Sequence, residues 1–419
     1  MPKTFRPWDV EQMRLFPPSI SDFVPEEHPA HFIRELVRED LDLSAILSTY
    51  SEERGYPPHH PAMMTALLLY GYSRGVYSSR KLEQACIERV DFMAVTAMSK
   101  PDHTRISEFR RRHLEALRGL FVQVLGLCGK AGLVKLGHVA LDGTKVRANA
   151  SKHAAMSWSR MKKADRELKK QVDGWLRRAE DADSEEDAAY GKDKRGDELP
   201  DWVKDKAKRR AKIREAMARL KEEAEGKGET EPPEGAQSNF TDPESRILKT
   251  KDGFEQGYNC QAAVDAQSQV VVAEEVVAQQ NDVDRLLPML DAVRANTGKK
   301  PQEASADTGY LSEANLEGLE KRRIRGYIAV GRQKHGTAGA TSWGHKLQQP
   351  LTRAMWVRLR RAGWRSRYRL RKQVVEPVFG QIKEARGFRR FLLRGLEKVR
   401  GEWSLLCTAH NLLKLAAAR

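Results

Sequence analysis

Cysteine is scarce in this chain: four residues in 419, at positions 86, 128, 260 and 407, with no Cys-x-x-Cys pair. A structural zinc site needs clustered ligands and a disulfide framework needs dense, paired cysteines, so the spacing argues against both. His59 and His60 are adjacent but lie beside Pro57, Pro58 and Pro61, and read as a loop rather than as ligands. Long apolar runs are also missing, so no segment is expected to cross a bilayer. Met1 to Phe16 carries charges and prolines where a signal peptide would need an apolar stretch. These absences point to a cytoplasmic protein.

Negative charge is in deficit: 58 acidic residues stand against 74 Lys and Arg, a net charge of +16. The excess is concentrated. Between Arg353 and Arg400 there are 16 Lys and Arg but only three acidic residues, Glu376, Glu384 and Glu397, a local net of +13. Charge gathered this tightly repels itself unless an anionic partner neutralises it, and phosphate backbones are the commonest such partner. Apolar residues such as Trp356, Leu359, Val374, Val378, Phe379, Ile382 and Phe391 are interleaved throughout. The basic stretch is therefore folded rather than a solvated tail.

Hydrophobic periodicity divides the chain. Residues 1–134 read as an all-α domain, with helices over Pro61 to Tyr72, Ser79 to Met93 and Arg105 to Leu127, the last capped near Thr104. Ser99 to Arg105 followed by Arg110, Arg111 and Arg112 suits a turn leading into a DNA-facing helix, or equally a small helical core with an exposed basic face. From Gly137 the pattern changes to strands over 138–146, 259–265, 270–277, 304–307 and 326–331. Helices are expected over 282–295 and 312–321 and around Glu376. This order predicts an α/β domain, a mixed sheet with flanking helices, over 135–150 and 252–400. Residues 151–251 form an insertion with two sparse apolar stripes, read as a projecting helical hairpin with a flexible Glu/Gly/Pro-rich linker. Residues 401–419 read as a C-terminal helix.

Three carboxylates interrupt otherwise apolar elements. Asp142 falls within an apolar strand, an expensive place for an unpaired charge. Asp307 ends a short strand, and Glu376 lies in Val374-Val375-Glu376-Pro377-Val378-Phe379, inside the basic stretch. Each has a bland reading: Asp142-Gly143 as a hairpin turn, Asp307 as a helix cap, and Glu376-Pro377 as a helix start. Carboxylates converging from separate elements are also what metal-assisted phosphoryl transfer needs. Lys383 follows Glu376 by two helical turns, and Tyr368 and Arg371 precede it.

Ala140 to Ala150, Ala306-Asp307-Thr308-Gly309-Tyr310 and Tyr368 through Lys383 resemble the DDE transposases of bacterial insertion sequences, with their ribonuclease H-like catalytic domain. The likeness extends to Asn239 to Glu244, Gly257 to Asp265 and Gly401 to Leu415. The family's third motif is Tyr-x2-Arg-x3-Glu-x6-Lys. Tyr368, Arg371, Glu376 and Lys383 depart from it by one residue before the Glu, and Lys372 stands at the usual Arg spacing. The resemblance implies catalytic and metal-binding roles for Asp142, Asp307 and Glu376, holding two Mg²⁺ (or Mn²⁺) ions. It implies phosphate contacts by Lys383 and neighbouring Arg residues, and recognition of terminal inverted repeats by the N-terminal helices. A homodimer or larger assembly on paired double-stranded DNA ends, a second DNA as target and a nucleoid-associated location complete the expectation. A same-fold nuclease that does not rejoin DNA and a non-catalytic nucleic-acid-binding protein are the alternatives.

Overall fold

The computed structural model describes residues 19–51, 58–151, 154–190, 201–226, 228–250, 253–279, 281–331, 348–362 and 366–418. Met1 to Phe16, discussed above for its charge, lies outside them. The first part is helical: α1 (Pro29–Glu39), α2 (Ser44–Leu47), α3 (Pro61–Ser73), α4 (Ser79–Glu88), α5 (Val90–Thr96), α6 (His103–Arg112) and α7 (Leu114–Lys130). Two of the expected helices are broken. Arg89 adopts an extended conformation between α4 and α5, and its guanidinium holds Asp91 in the first turn of α5 at 2.6 Å. His113, buried between Phe109 and Tyr50, separates α6 from α7 and meets the Tyr50 hydroxyl at 3.1 Å. The cap of α6 is Asp102, which accepts from the Thr104 amide at 2.9 Å, rather than Thr104 itself.

The chain then alternates. In order come β1 (His138–Arg147), β2 (Ala155–Ser157), α8 (Trp158–Tyr190), α9 (Asp201–Glu225) and β3 (Gln237–Asn239). These are followed by β4 (Arg246–Thr250), β5 (Gly253–Asp265), β6 (Val271–Val277), α10 (Leu286–Thr297), β7 (Glu303–Ala306), α11 (Glu313–Lys321) and β8 (Arg325–Ile328). Last are α12 (Pro350–Ala362), α13 (Leu370–Gly380) and α14 (Leu396–Ala416). Among the described residues the main sheet has six strands in the order β4-β5-β1-β7-β8, with β6 also on β5. β5 pairs antiparallel with β1, β4 and β6, whereas β1-β7 and β7-β8 are parallel. Gly257 is paired with Arg147 on one side and Arg246 on the other, so β4 and β6 follow each other along the same edge of β5. This is the mixed sheet with flanking helices that the pattern predicts.

Helix α14 sits at the centre. Thirteen of its residues, among them Trp403, Leu405, Leu406 and Leu412, are buried, and it lies between β6 and the helices α3 and α7. A helix buried on every side needs partners for its polar groups. Asn411 supplies one such link, accepting from the Val271 amide at 2.8 Å and donating to the Val271 carbonyl at 2.8 Å. The Trp403 indole donates to the Gln261 carbonyl at 3.2 Å. The N-terminal helices and the sheet consequently share one hydrophobic core, from Val24 to Leu412, and no break in packing marks residue 134.

The insertion has a core of its own, with Trp158, Met161, Ile213, Ala216 and Leu220 packed between α8 and α9. The β2-β3 pair closes its base, and Asp165 of α8 receives Arg210 and Arg214 of α9 at 2.9 and 3.0 Å. Among the described residues no helix is long and apolar enough to cross a membrane.

One glycine tests the sheet. A Cβ on Gly257 would come within 2.5 Å of the Val146 carbonyl oxygen, which is backbone and cannot swing aside. Gly257→Ala is expected to destabilise the protein by about 2 kcal/mol, read as a lower urea midpoint. An unchanged midpoint would mean that β1 and β5 are not this close.

Candidate active site

The parallel register of β1 and β7 brings the first two carboxylates together. Val139 is level with Ala304 and Ala140 with Ser305, so continuing by two residues puts Asp142 level with Asp307. Asp142 does not start a turn: β1 runs unbroken through it to Arg147. Strand alternation points Asp142 and Thr144 to one face and position 143 to the other. On that second face Gly143 leaves room for a polar cluster. A Cβ there would lie 2.5 Å from Gln261 Nε2 and 2.9 Å from Asp282 Oδ1. Asp307 accepts from the Gly309 amide at 2.8 Å, so it caps the short turn after β7 and faces the site as well.

The third carboxylate comes from α13, which packs on the Asp142 face. Pro377 stands inside this helix rather than at its start. Its ring removes the donor that the Gln373 carbonyl would otherwise receive, and Gln269 Nε2 takes that place at 3.0 Å. After Gly380 the helix widens into a π turn over Gln381–Ala385, closed by the Arg386 amide on the Gln381 carbonyl at 3.1 Å. The even two-turn spacing from Glu376 to Lys383 is therefore not kept, but Lys383 still turns to β1. Its Nζ donates to Thr144 Oγ1 at 3.1 Å and to the Lys145 carbonyl at 3.0 Å.

Arg371 joins the carboxylates. It reaches Asp142 at 2.6 Å and Glu376 at 3.2 Å, and its guanidinium lies over the ring of Tyr368 at 5.9 Å. Lys372, at the customary spacing, is exposed and points elsewhere. Arg371 and Asp142 are nearly buried, at 11% and 15% exposure, whereas Glu376 is 47% exposed. Burial pushes Asp142 up to about 7 against the pull of Arg371, and the charges of Asp307 and Glu376 add to the rise. Burial also raises Asp307, offset by the Gly309 amide and Arg371. Arg371 Nε is buried without a hydrogen bond among the described residues.

Among the described residues no three His, Cys, Asp or Glu are close enough to hold a metal ion as they stand. The donor chemistry nevertheless fits a hard divalent cation. Asp142, Asp307 and Glu376 offer oxygens only, and burial, with the charges of Asp307 and Glu376 adding to it, holds Asp142 above its ordinary range despite Arg371.

Asp282 was not singled out from the sequence. Its carboxylate accepts from Asn259 Nδ2 at 2.6 Å and Gln261 Nε2 at 2.7 Å, while the Tyr310 hydroxyl donates to Gln261 Oε1. Asp282 thus stands behind Gly143 and beside Gly309, on the opposite face from Asp142. The available signal was the pair of amides at alternate positions, Asn259 and Gln261, on a strand that is otherwise apolar.

The N-terminal arginines do not form one face. Arg110 is buried, donating to the Tyr72 hydroxyl at 3.2 Å and the Tyr77 carbonyl at 3.0 Å, with the buried Glu402 adding to its charge stabilisation. Arg110 is thus turned away from any DNA-facing surface. Arg111 is exposed, and Arg112 donates to the Thr49 carbonyl at 2.7 Å.

Residues 18–112 match a family model described as a transposase domain (DUF772), and residues 232–412 match one described as a transposase DDE domain. The mixed sheet is the ribonuclease H-like sheet of the DDE domain. Neither the curated proteins nor the solved structures contain a match.

Three substitutions check these electrostatics. Because the folded pKa of Asp142 lies above its ordinary 3.8, at about 7, its contribution to stability is full below about pH 4 and is lost as pH rises through 7. In metal-free buffer at pH 8, Asp142→Asn should be more stable than the parent by roughly 2–4 kcal/mol. The gap should close by pH 4, and a gap independent of pH would refute the shift. Arg110→Met should cost about 3 kcal/mol by leaving Glu402 without its counter-charge. Arg111→Ala should change stability by less than about 0.5 kcal/mol. Equal urea midpoints for the two variants would contradict the inward placement of Arg110.

Proposed function

Because the chain belongs to the DDE-type transposases of insertion elements, we propose that it cuts DNA at the ends of such an element and joins the freed ends to target DNA. The observation that carries this reading is the pairing of Arg371 with both Asp142 and Glu376, with Asp307 level with Asp142 in the register of β1 and β7. Asp142, Asp307 and Glu376 would hold two Mg²⁺ or Mn²⁺ ions. Bound there, the ions would supply Lewis-acid activation of the attacking oxygen and charge neutralisation at the phosphate. Arg371, with Nε unbonded and its plane set by Tyr368, would fork to a phosphate oxygen. Lys383, tied to the β1 rim beside Thr144, would hold the neighbouring phosphate of the cut strand. Lys372 and the outward Arg111 and Arg112 would add charge for duplex binding.

In this reading water attacks in line at the element's end and a 3′-hydroxyl leaves. That hydroxyl then attacks a phosphate of the target, so no covalent link to the protein forms. The N-terminal helices would read terminal inverted repeats, and paired ends would require a dimer or larger assembly.

The test incubates a labelled element end with Mg²⁺ and the parent protein, Asp142→Ala, Asp307→Ala or Glu376→Ala. Each variant should still bind the end while cleavage and strand transfer fall on the order of 1,000-fold or more. Undiminished cleavage by any one variant removes that residue from the site.

A further inference from the structure

The open edge of the sheet carries a second basic feature, separate from the carboxylates. Strand β8 ends the sheet, and α12 packs beside it. Between them runs an open groove of about 900 Å³ whose lining includes Arg325, Arg353, Arg358, Arg361 and Arg367 and no acidic residue. A nearby carboxylate, Glu303, already pairs with Arg367 at 3.0 Å and His138 at 3.3 Å. Glu313, the acid closest to the start of α12, is spent on the amides of Leu351 and Thr352 at 3.3 and 2.7 Å. Arg358 is tied to the Gly326 carbonyl at 3.1 Å, and Arg325 stacks over Tyr327. The side chains of Arg353 and Arg361, both exposed, make no hydrogen bond or ion pair among the described residues.

Five guanidinium groups with this little compensation repel one another, and Glu303 on Arg367 is the counter-charge the described residues supply. Arg353 and Arg361 are about two turns apart on α12, about 12 Å along its axis, a length that, laid along a duplex axis at roughly 3.4 Å per step, covers three to four phosphates of one strand. The groove also lies off the reaction centre. Arg325 pairs with Glu303 at the start of β7, and Asp307 follows the end of that strand, about 13 Å further on.

We propose that this groove binds the phosphate backbone of duplex DNA outside the segment held at the carboxylates, with Arg353 and Arg361 as direct contacts. The proposal rests on the reading of the protein as a DNA-processing enzyme and adds a second contact surface to it.

The experiment measures the affinity of the full chain for a 40-base-pair duplex across a salt series. It compares the parent with Arg353→Ala/Arg361→Ala and Arg353→Lys/Arg361→Lys. Losing two contacts should lower the slope of log K against log salt by about 1.8 and weaken binding roughly tenfold. The Lys pair should keep the parent slope, and cleavage of a short, saturating element end should be unchanged in both. A slope and affinity for the Ala pair equal to the parent's would overturn the proposal. So would loss of self-association in sedimentation with DNA affinity intact, which would assign the groove to a second copy. Failure of the parent itself to bind any duplex would instead refute the broader functional reading.

Discussion

The guanidinium of Arg371 lies between Asp142 on β1 and Glu376 on its own helix, and the geometry of the site follows from that contact. Carboxylates at the rim of an apolar sheet repel one another, and burial strengthens the repulsion because little water remains to screen it. A permanently charged, forked group is the means of holding them close without a cation. The guanidinium lies over the Tyr368 ring at 5.9 Å, and Arg371 touches both acids although one residue more than in the family pattern separates it from Glu376. Arg371 pulls Asp142 down while burial, aided by the charges of Asp307 and Glu376, pushes it up to about 7.

Holding α13 against β1 requires an irregular helix. Pro377 takes away one backbone donor, Gln269 replaces it from the β5-β6 turn, and the π turn after Gly380 re-aims Lys383 at Thr144 and Lys145. The chain beyond is secured by acids that accept main-chain amides. Glu402 binds those of Leu392 and Leu393, Asp242 that of Gly395, and Glu244 that of Leu396. Glu402 also faces Arg110, so this strap, the central helix α14 and the N-terminal helices meet at one buried charged point. The helical region and the sheet are therefore joined through packing at this point.

Much of this was legible in the sequence where one physical signal dominated. The apolar runs at 138–146, 259–265 and 270–277 gave strands because alternation and β-branching leave little else. Asp142 and Glu376 stood out because a carboxylate inside an apolar element needs a reason. Other features had no local signature. The breaks at Arg89 and His113 depend on partners far along the chain, the Tyr70–Asp91 and Tyr50–His113 contacts. Strand β4 was missed because Arg246 to Thr250 is half-polar and acquires its identity only by pairing with β5. The three consecutive arginines looked alike in sequence, yet a helix turns each residue by about a quarter of a circle or more, so Arg110 faces the core while its neighbours face water.

The sequence by itself determined the secondary-structure classes, the local charge excess and the identity of the three carboxylates, because these depend on residue type and short-range periodicity. Tertiary structure alone decided which groups compensate them. Arg371 rather than Lys372 bridges the acids, Asp282 joins from behind Gly143, and five arginines gather along the open sheet edge. Each of these is a distance between residues far apart in the chain. Coulomb energy and hydrogen bonding depend on such distances, and no spacing along the sequence specifies them.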